Sequence, residues 1–183
     1  MKLQLSAAFA LLAATLSSTL VAATPLSPAP VTPPSAGVAA MQDWFRDFIP
    51  RLAPNSTDNW QAVFADGTLV SNIHATLNTN TFNDVDSMRA YWAFLNARIL
   101  ERIERYVVEP TQITAHVTDA EGRNGWVVTT AKSWLITKQG DLHTGGIAGA
   151  FAEIKWDPIL QKRTVTEFRE VNTPPNWPNY PWA

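Results

Sequence analysis

At Tyr106 the apolar residues change period, and that change constrains the fold more than any other feature of the sequence. Before it they recur every three or four residues, as on one side of a helix; after it they alternate, as on one face of a strand. Met41, Trp44, Phe45, Phe48 and Leu52 form one stripe of an amphipathic helix that Pro50 and Pro54 terminate. A second, short helix follows. Ser56 or Thr57 caps it, Asp58 lies in its first turn where the helix dipole favours an anion, and Trp60, Val63 and Phe64 form its buried side. Asp66-Gly67 then turns the chain into a short extended run, Thr68 to Ala75. The third helix starts near Asp84 or Asp86 and runs to about Arg105, with Met88, Tyr91, Trp92, Leu95, Ile99 and Ile103 as its apolar stripe.

Beyond Tyr106, Ile113, Ala115 and Val117 share one strand face, and Asp119 to Gly125 supply a loop. Trp126 to Thr137 is a long β-rich run turned by Lys138-Gln139-Gly140-Asp141. Leu142 to Trp156 is another, in which Gly145, Gly146 and Gly149 permit a bulge or bend. After Asp157-Pro158, Thr164 to Val171 is the last strand. Three helices followed by four long antiparallel strands predict an α+β domain, with the helices on one face of a strongly curved antiparallel sheet. A bent sheet closed by helices leaves a cone, and cones hold ligands.

The ends of the chain read differently. Met1-Lys2, an Ala/Leu-rich stretch to about Leu20 and the small residues Val21-Ala22-Ala23 have the layout of a secretory signal cleaved after Ala23. Residues 24–37 hold five prolines among Ser, Thr and Ala without a charge, the composition of an extended linker. The domain is expected over residues 38–171, followed by a Pro/Trp-rich tail over 172–183. The three aromatics of that tail favour packing, either on the domain, over a pocket or in a subunit contact. Asn55-Ser56-Thr57 is a sequon, so a secreted eukaryotic protein can carry a glycan at Asn55.

Composition narrows the chemistry. A formal net charge of -2 lacks the basic excess that nucleic acid or an anionic membrane surface requires. With no cysteine, thiol nucleophiles, Fe–S clusters and cysteine zinc sites are excluded, and the three histidines form no His-x-x-x-His or His-x-His pair to hold a metal. No Gly-x-Ser-x-Gly elbow is present, and Gly145-Gly146 with Gly149 precedes no helix, so it is not a dinucleotide fingerprint.

The order of elements, together with Trp60-Gln61-Ala62-Val63-Phe64-Ala65-Asp66-Gly67 after the first helix, resembles the NTF2-like superfamily and within it the SnoaL-like group of small cyclases, isomerases and dehydratases. The resemblance covers Val38 to Val171. It implies a cone-shaped, often dimeric α+β barrel whose cavity takes a hydrophobic small molecule and needs no cofactor. The same fold also serves as a transport and assembly module, so catalysis does not follow from it. Where ketosteroid-isomerase-like members place an aspartate base, the matching position here is Asn72, whose amide cannot take a proton. Where many SnoaL-like sequences end the last strand with His-Trp-Asp, this chain has Phe168-Arg169-Glu170, which keeps only the carboxylate.

Several side chains are candidates for the cavity. His74 shares the parity of Val70 and Asn72, so if Asn72 faces the cavity His74 does too, as a general base or as a rim histidine bonded to water. Glu153, Glu167 and Glu170 could combine with His74 or Lys132 as an acid/base pair, or form outward cross-strand rows of ion pairs with Lys and Arg. The expected set is thus His74, Glu153 and Glu170 for catalysis, with Asn72, Tyr91, Lys132, Trp134 and Glu167 contacting ligand. His116 and His143 are expected in solvent. The leading functional expectation is a secreted, cofactor-free isomerase, cyclase or dehydratase acting on a hydrophobic metabolite. A small-molecule carrier and an extracellular interaction module are the alternatives.

Overall fold

The structure is a computed structural model that describes residues 34–54 and 60–176. The expected signal sequence, most of the expected linker, Asn55 and residues 177–183 lie outside the described residues. Helix α1 spans Ala36–Leu52, α2 Trp60–Ala65 and α3 Val85–Arg102. Strands β1 (Leu69–Leu77) and β2 (Asn80–Phe82) precede α3, and β3 (Ile103–Val117), β4 (Gly125–Thr137), β5 (Leu142–Asp157) and β6 (Lys162–Thr173) follow it. They form one six-stranded sheet in the order β2-β1-β6-β5-β4-β3.

The sequence anticipates an α+β domain with helices against a curved sheet, and that is the architecture. Every neighbouring pair is antiparallel except β1 and β6, which run parallel. β2 and the parallel pairing are additions to the sequence reading, because a three-residue strand carries no periodicity of its own.

Helix boundaries shift for local reasons. α1 begins inside the proline-rich segment because Ser35 caps it, its Oγ accepting from the Val38 N–H at 3.3 Å. Gly37 is buried there against the β3–β4 turn, where an added Cβ would lie 2.4 Å from the Ala120 carbonyl oxygen. Pro50 does not end α1. The helix continues to Leu52, held by the burial of Ile49 and Leu52 and by the Trp92 indole N–H, which donates to the Leu52 carbonyl at 2.6 Å. α3 is capped by Asp84, whose Oδ1 accepts from the Ser87 N–H at 2.7 Å. It stops at Arg102 rather than near Arg105 because Ile103 already pairs with Thr137 of β4.

The core lies between α1, α2, α3 and the concave side of the sheet. Met41, Phe45 and Phe48 of α1, Val63 of α2, Met88 of α3, Ile73 of β1 and Phe168 of β6 are almost wholly buried there. Phe48 meets Phe168 edge-on at 6.5 Å between ring centroids. A smaller cluster of Ile99, Ile103 and Leu135 closes the far end, with Tyr106 packed against it. Among the described residues no helix is long and apolar enough to cross a membrane.

Candidate functional site

Between the two clusters the concave face is lined with small residues. β4 alternates strictly, with Val127, Thr129, Ala131, Ser133 and Leu135 inward and Trp126, Val128, Thr130, Lys132 and Trp134 outward. β5 presents Gly146, Ala148, Ala150 and Ala152 on the same inner side. Ala131 sits opposite Ala148, Thr129 opposite Ala150 and Ser133 opposite Gly146, so no large side chain from the sheet's centre fills the space beneath α3. The result is a cavity of about 820 Å³, counting its open mouth. Leu52, Ala53 and Pro54 at the end of α1 and Tyr91, Trp92 and Leu95 of α3 form its other wall.

Among the described residues one acid enters this space. β6 alternates so that Phe168, Glu170 and Asn172 point inward and Glu167 and Arg169 outward. Glu170 stands beside Ala150 on β5 and Leu77 on β1, and keeps partial exposure only because it fronts the cavity. Burial pushes its carboxyl above the ordinary glutamate range, with partial relief from a hydrogen bond that Asn172 Nδ2 donates to Oε1 at 2.9 Å. Asn172 is itself held: its backbone N–H donates to Asn78 Oδ1 at 2.8 Å, and its Oδ1 accepts from Asn78 Nδ2 at 3.2 Å. The Asn78 N–H closes the loop by donating to the Glu170 carbonyl at 2.8 Å.

Asn78 opens the two-residue turn between β1 and β2 with φ +53°, a left-handed conformation that asparagine tolerates better than most residues. The next strand residue, Asn80, donates from Nδ2 to the Tyr91 hydroxyl at 3.1 Å. That bond leaves the phenolic proton available to a ligand oxygen. Burial also raises the Tyr91 pKa, so the phenol stays protonated at neutral pH. The β1–β2 hairpin therefore braces both polar groups, Glu170 through Asn172 and Tyr91 directly.

Of the residues singled out by sequence, Glu170 and Tyr91 line the cavity and the others do not. Asn72 and His74 are exposed on the outer side of β1, because Ile73, Ala75 and Leu77 take the inner positions. His74 Nδ1 lies 3.0 Å from Asn83 Oδ1. Lys132 is exposed on the outer face. Trp134 is also outside, donating from Nε1 to Glu109 Oε1 at 3.3 Å beneath the Arg105 guanidinium. Glu153 faces outward and bonds Thr166 and Lys155; the Thr166 hydroxyl, followed by the Lys155 ammonium, holds its carboxyl below the usual range against a burial penalty. Glu167 pairs with Arg169.

On β4, β5 and β6 the corrections for Lys132, Glu153 and Glu167 share one cause: the concave positions beside them are taken by small or apolar residues, so alternation leaves these three facing out. The outward ion pairs run along single strands, Glu153 with Lys155 on β5 and Glu167 with Arg169 on β6, rather than across strands, where Glu153 stands opposite Glu167. His116 is exposed and stacks on Trp126 at 5.2 Å, while His143 is only half-exposed and its Nδ1 lies 3.0 Å from the Asn176 carbonyl. The start of the tail packs along β5, with Pro175 buried and the Asn176 N–H donating to the Thr144 carbonyl at 3.0 Å.

Sequence reasoning missed Asn78, Asn172 and the alanine floor. The signal for the floor was there, in Ala148-x-Ala150-x-Ala152 at strand period. Among the described residues no group of three or more His, Asp or Glu side chains is arranged to hold a metal ion.

The geometry is that of the NTF2-like cone, and comparison with solved structures gives the same fold. The chain is similar to Aln2 from a Streptomyces species, with a TM-score of 0.59 and 9% identity over 76% of this chain and 93% of that one. ActVI-ORFA from Streptomyces coelicolor matches with a TM-score of 0.57 and 5% identity over 73% and 93%. Nuclear transport factor 2 from Cryptosporidium parvum matches with a TM-score of 0.53 and 10% identity over 78% and 100%. No family model matches the sequence, and no curated protein matches it. At these identities the likeness establishes fold alone.

Proposed function

We propose that the chain is a secreted SnoaL-like protein that acts on a hydrophobic small metabolite by cofactor-free acid/base chemistry, isomerisation, cyclisation or dehydration, with Glu170 as the proton-transfer group. The observation that carries this reading is a carboxyl of raised pKa on the wall of an apolar cavity. A carboxyl poised nearer neutrality can take a proton from an acidic C–H or O–H and return it at another position. Tyr91, with its hydroxyl oxygen occupied by Asn80, donates its proton toward the ligand oxygen on which charge develops. The signal-like first 23 residues support secretion, and the sequon supports a glycan at Asn55.

A second reading is carriage without chemistry. It draws on the placement of His74, Glu153, Glu167 and Lys132 outside, which leaves Glu170 as the one carboxyl of the cavity among the described residues.

The test is to secrete the full chain from a eukaryotic host, extract the small molecules that copurify, and incubate them with wild-type protein and Glu170→Gln. Conversion by wild type and none by the variant is expected. A bound compound returned unchanged by both overturns the catalytic reading and leaves carriage.

A homodimer through the convex side of the sheet is part of the same proposal. Trp126, Val128, Ile147 and Val171 are 40%, 45%, 61% and 69% exposed there, apolar side chains that a second copy would cover. Sedimentation should give a dimer that Val128→Glu with Ile147→Lys converts to monomer; a wild-type monomer at micromolar concentration would refute it.

A further inference from the structure

The charge balance of the cavity wall restricts the ligand more tightly than its apolar character does. Among the described residues its lining contains Glu170 and no Lys, Arg or His. Two cations lie next to it in sequence and are turned away: Lys132 stands between the inward Ala131 and Ser133, and Arg169 precedes Glu170. Strand alternation sends both to the convex face, where Arg169 pairs with Glu167. The polar groups described inside, Asn78, Tyr91, Thr129, Ser133, Glu170 and Asn172, offer hydroxyls, amides and one carboxyl. An anionic ligand would thus lie in a low-dielectric space beside another acid with no counter-charge. A ligand hydroxyl or carbonyl finds partners at both Glu170 and Tyr91.

We propose that the cavity takes an uncharged, oxygen-bearing ring compound, bound through a carbonyl or hydroxyl at Glu170, and excludes carboxylates, phosphates, sulfates and thioesters of phosphorylated carriers. This rests on the reading of the cavity as the ligand site, and it holds whether or not chemistry follows binding.

The test uses three probes of one shape, 2-naphthol, 2-naphthoate and 2-naphthylmethylammonium, titrated calorimetrically into the full secreted chain at about pH 8. 2-Naphthol should bind, and 2-naphthoate should bind at least about tenfold more weakly. Glu170→Gln, checked for folding by its thermal transition, should remove most of that gap. Wild type supplies an independent measurement: 2-naphthoate affinity should rise as pH falls and Glu170 takes up a proton, while 2-naphthol affinity stays level. Naphthoate binding equal to naphthol, tightest binding by the ammonium, or binding of no probe each overturns the proposal. Because the readout is affinity, selective binding of 2-naphthol without turnover of the copurified compound removes the catalytic reading and leaves this one standing. Turnover of an anionic compound does the reverse.

Discussion

Asn172 Nδ2 donates to Glu170 Oε1 at 2.9 Å, and this is the one side-chain hydrogen bond that works against the burial of that carboxyl. An amide N–H favours the charged form, so its removal leaves burial unopposed. Asn172→Ala should move the Glu170 midpoint further up, and Asn78→Gly, which keeps the left-handed backbone but frees Asn172, should move it part of the way. Carbon-13 NMR of labelled glutamate through a pH titration measures both. A downward shift in Asn172→Ala would show that the amide does not hold the carboxylate.

Glu170 also sets the sign of a stability change on the alkaline side. Its folded pKa lies above the unfolded value, so between the two the native state binds more protons and stability falls as pH rises. Below the unfolded value the group is neutral in both states and the deficit vanishes. Glu170→Gln should therefore match wild type in mild acid and exceed it by about 1–2 kcal/mol at neutral pH and above. Urea unfolding at a series of pH values reads the difference; a variant less stable than wild type at neutral pH would contradict it.

Asp66 has the opposite sign. Burial acts to raise its pKa, but hydrogen bonds from Thr68 and the Lys162 ammonium outweigh it and hold the carboxyl below its ordinary value. The stability this contributes is complete above the unfolded pKa and is lost as pH falls through the folded one. Asp66→Asn should cost about 0.5–1 kcal/mol at neutral pH, a value kept small by solvent screening of a half-exposed pair. It should also flatten the acid limb of the stability curve. An unchanged acid limb would mean that Thr68 alone turns the chain there.

Ala148 tests the cavity floor. It faces Ala131 on β4 and Asn172 on β6, with open space above it. Ala148→Leu should leave stability within about 1 kcal/mol of wild type, because the added methylenes enter a void. It should also abolish binding of 2-naphthol. A large loss of stability with binding intact would place the void elsewhere.

The helices and long strands were legible in the sequence because their apolar periods run over many residues. The helix stripe from Met41 to Leu52 and the alternation of Trp126 to Thr137 both reappear as buried faces. The site was legible only where alternation stayed regular. Glu170 follows Phe168 by two residues, and a wholly buried Phe168 carries Glu170 inward with it. β1 misled because reading it only to Ala75 hid Leu77, which with Ile73 and Ala75 fixes the inner parity. Its pairing with β6 is also irregular between Leu69 and His74. The Asn78–Asn172 contact joins residues 94 positions apart across a parallel pairing, and no local pattern encodes that.

The parallel seam between β1 and β6 has a consequence for how the chain is made. Leu69 finds its partner at Val165, and the acid-bearing strand occupies an interior place in the sheet although α3 and three long strands separate it from β1 in the chain. The early hairpin must therefore wait, one edge bare, until β6 has been made, and such long-range closure is slow and open to aggregation. A stop codon anywhere ahead of Thr173 would shorten or delete the middle stave of the barrel rather than trim its rim.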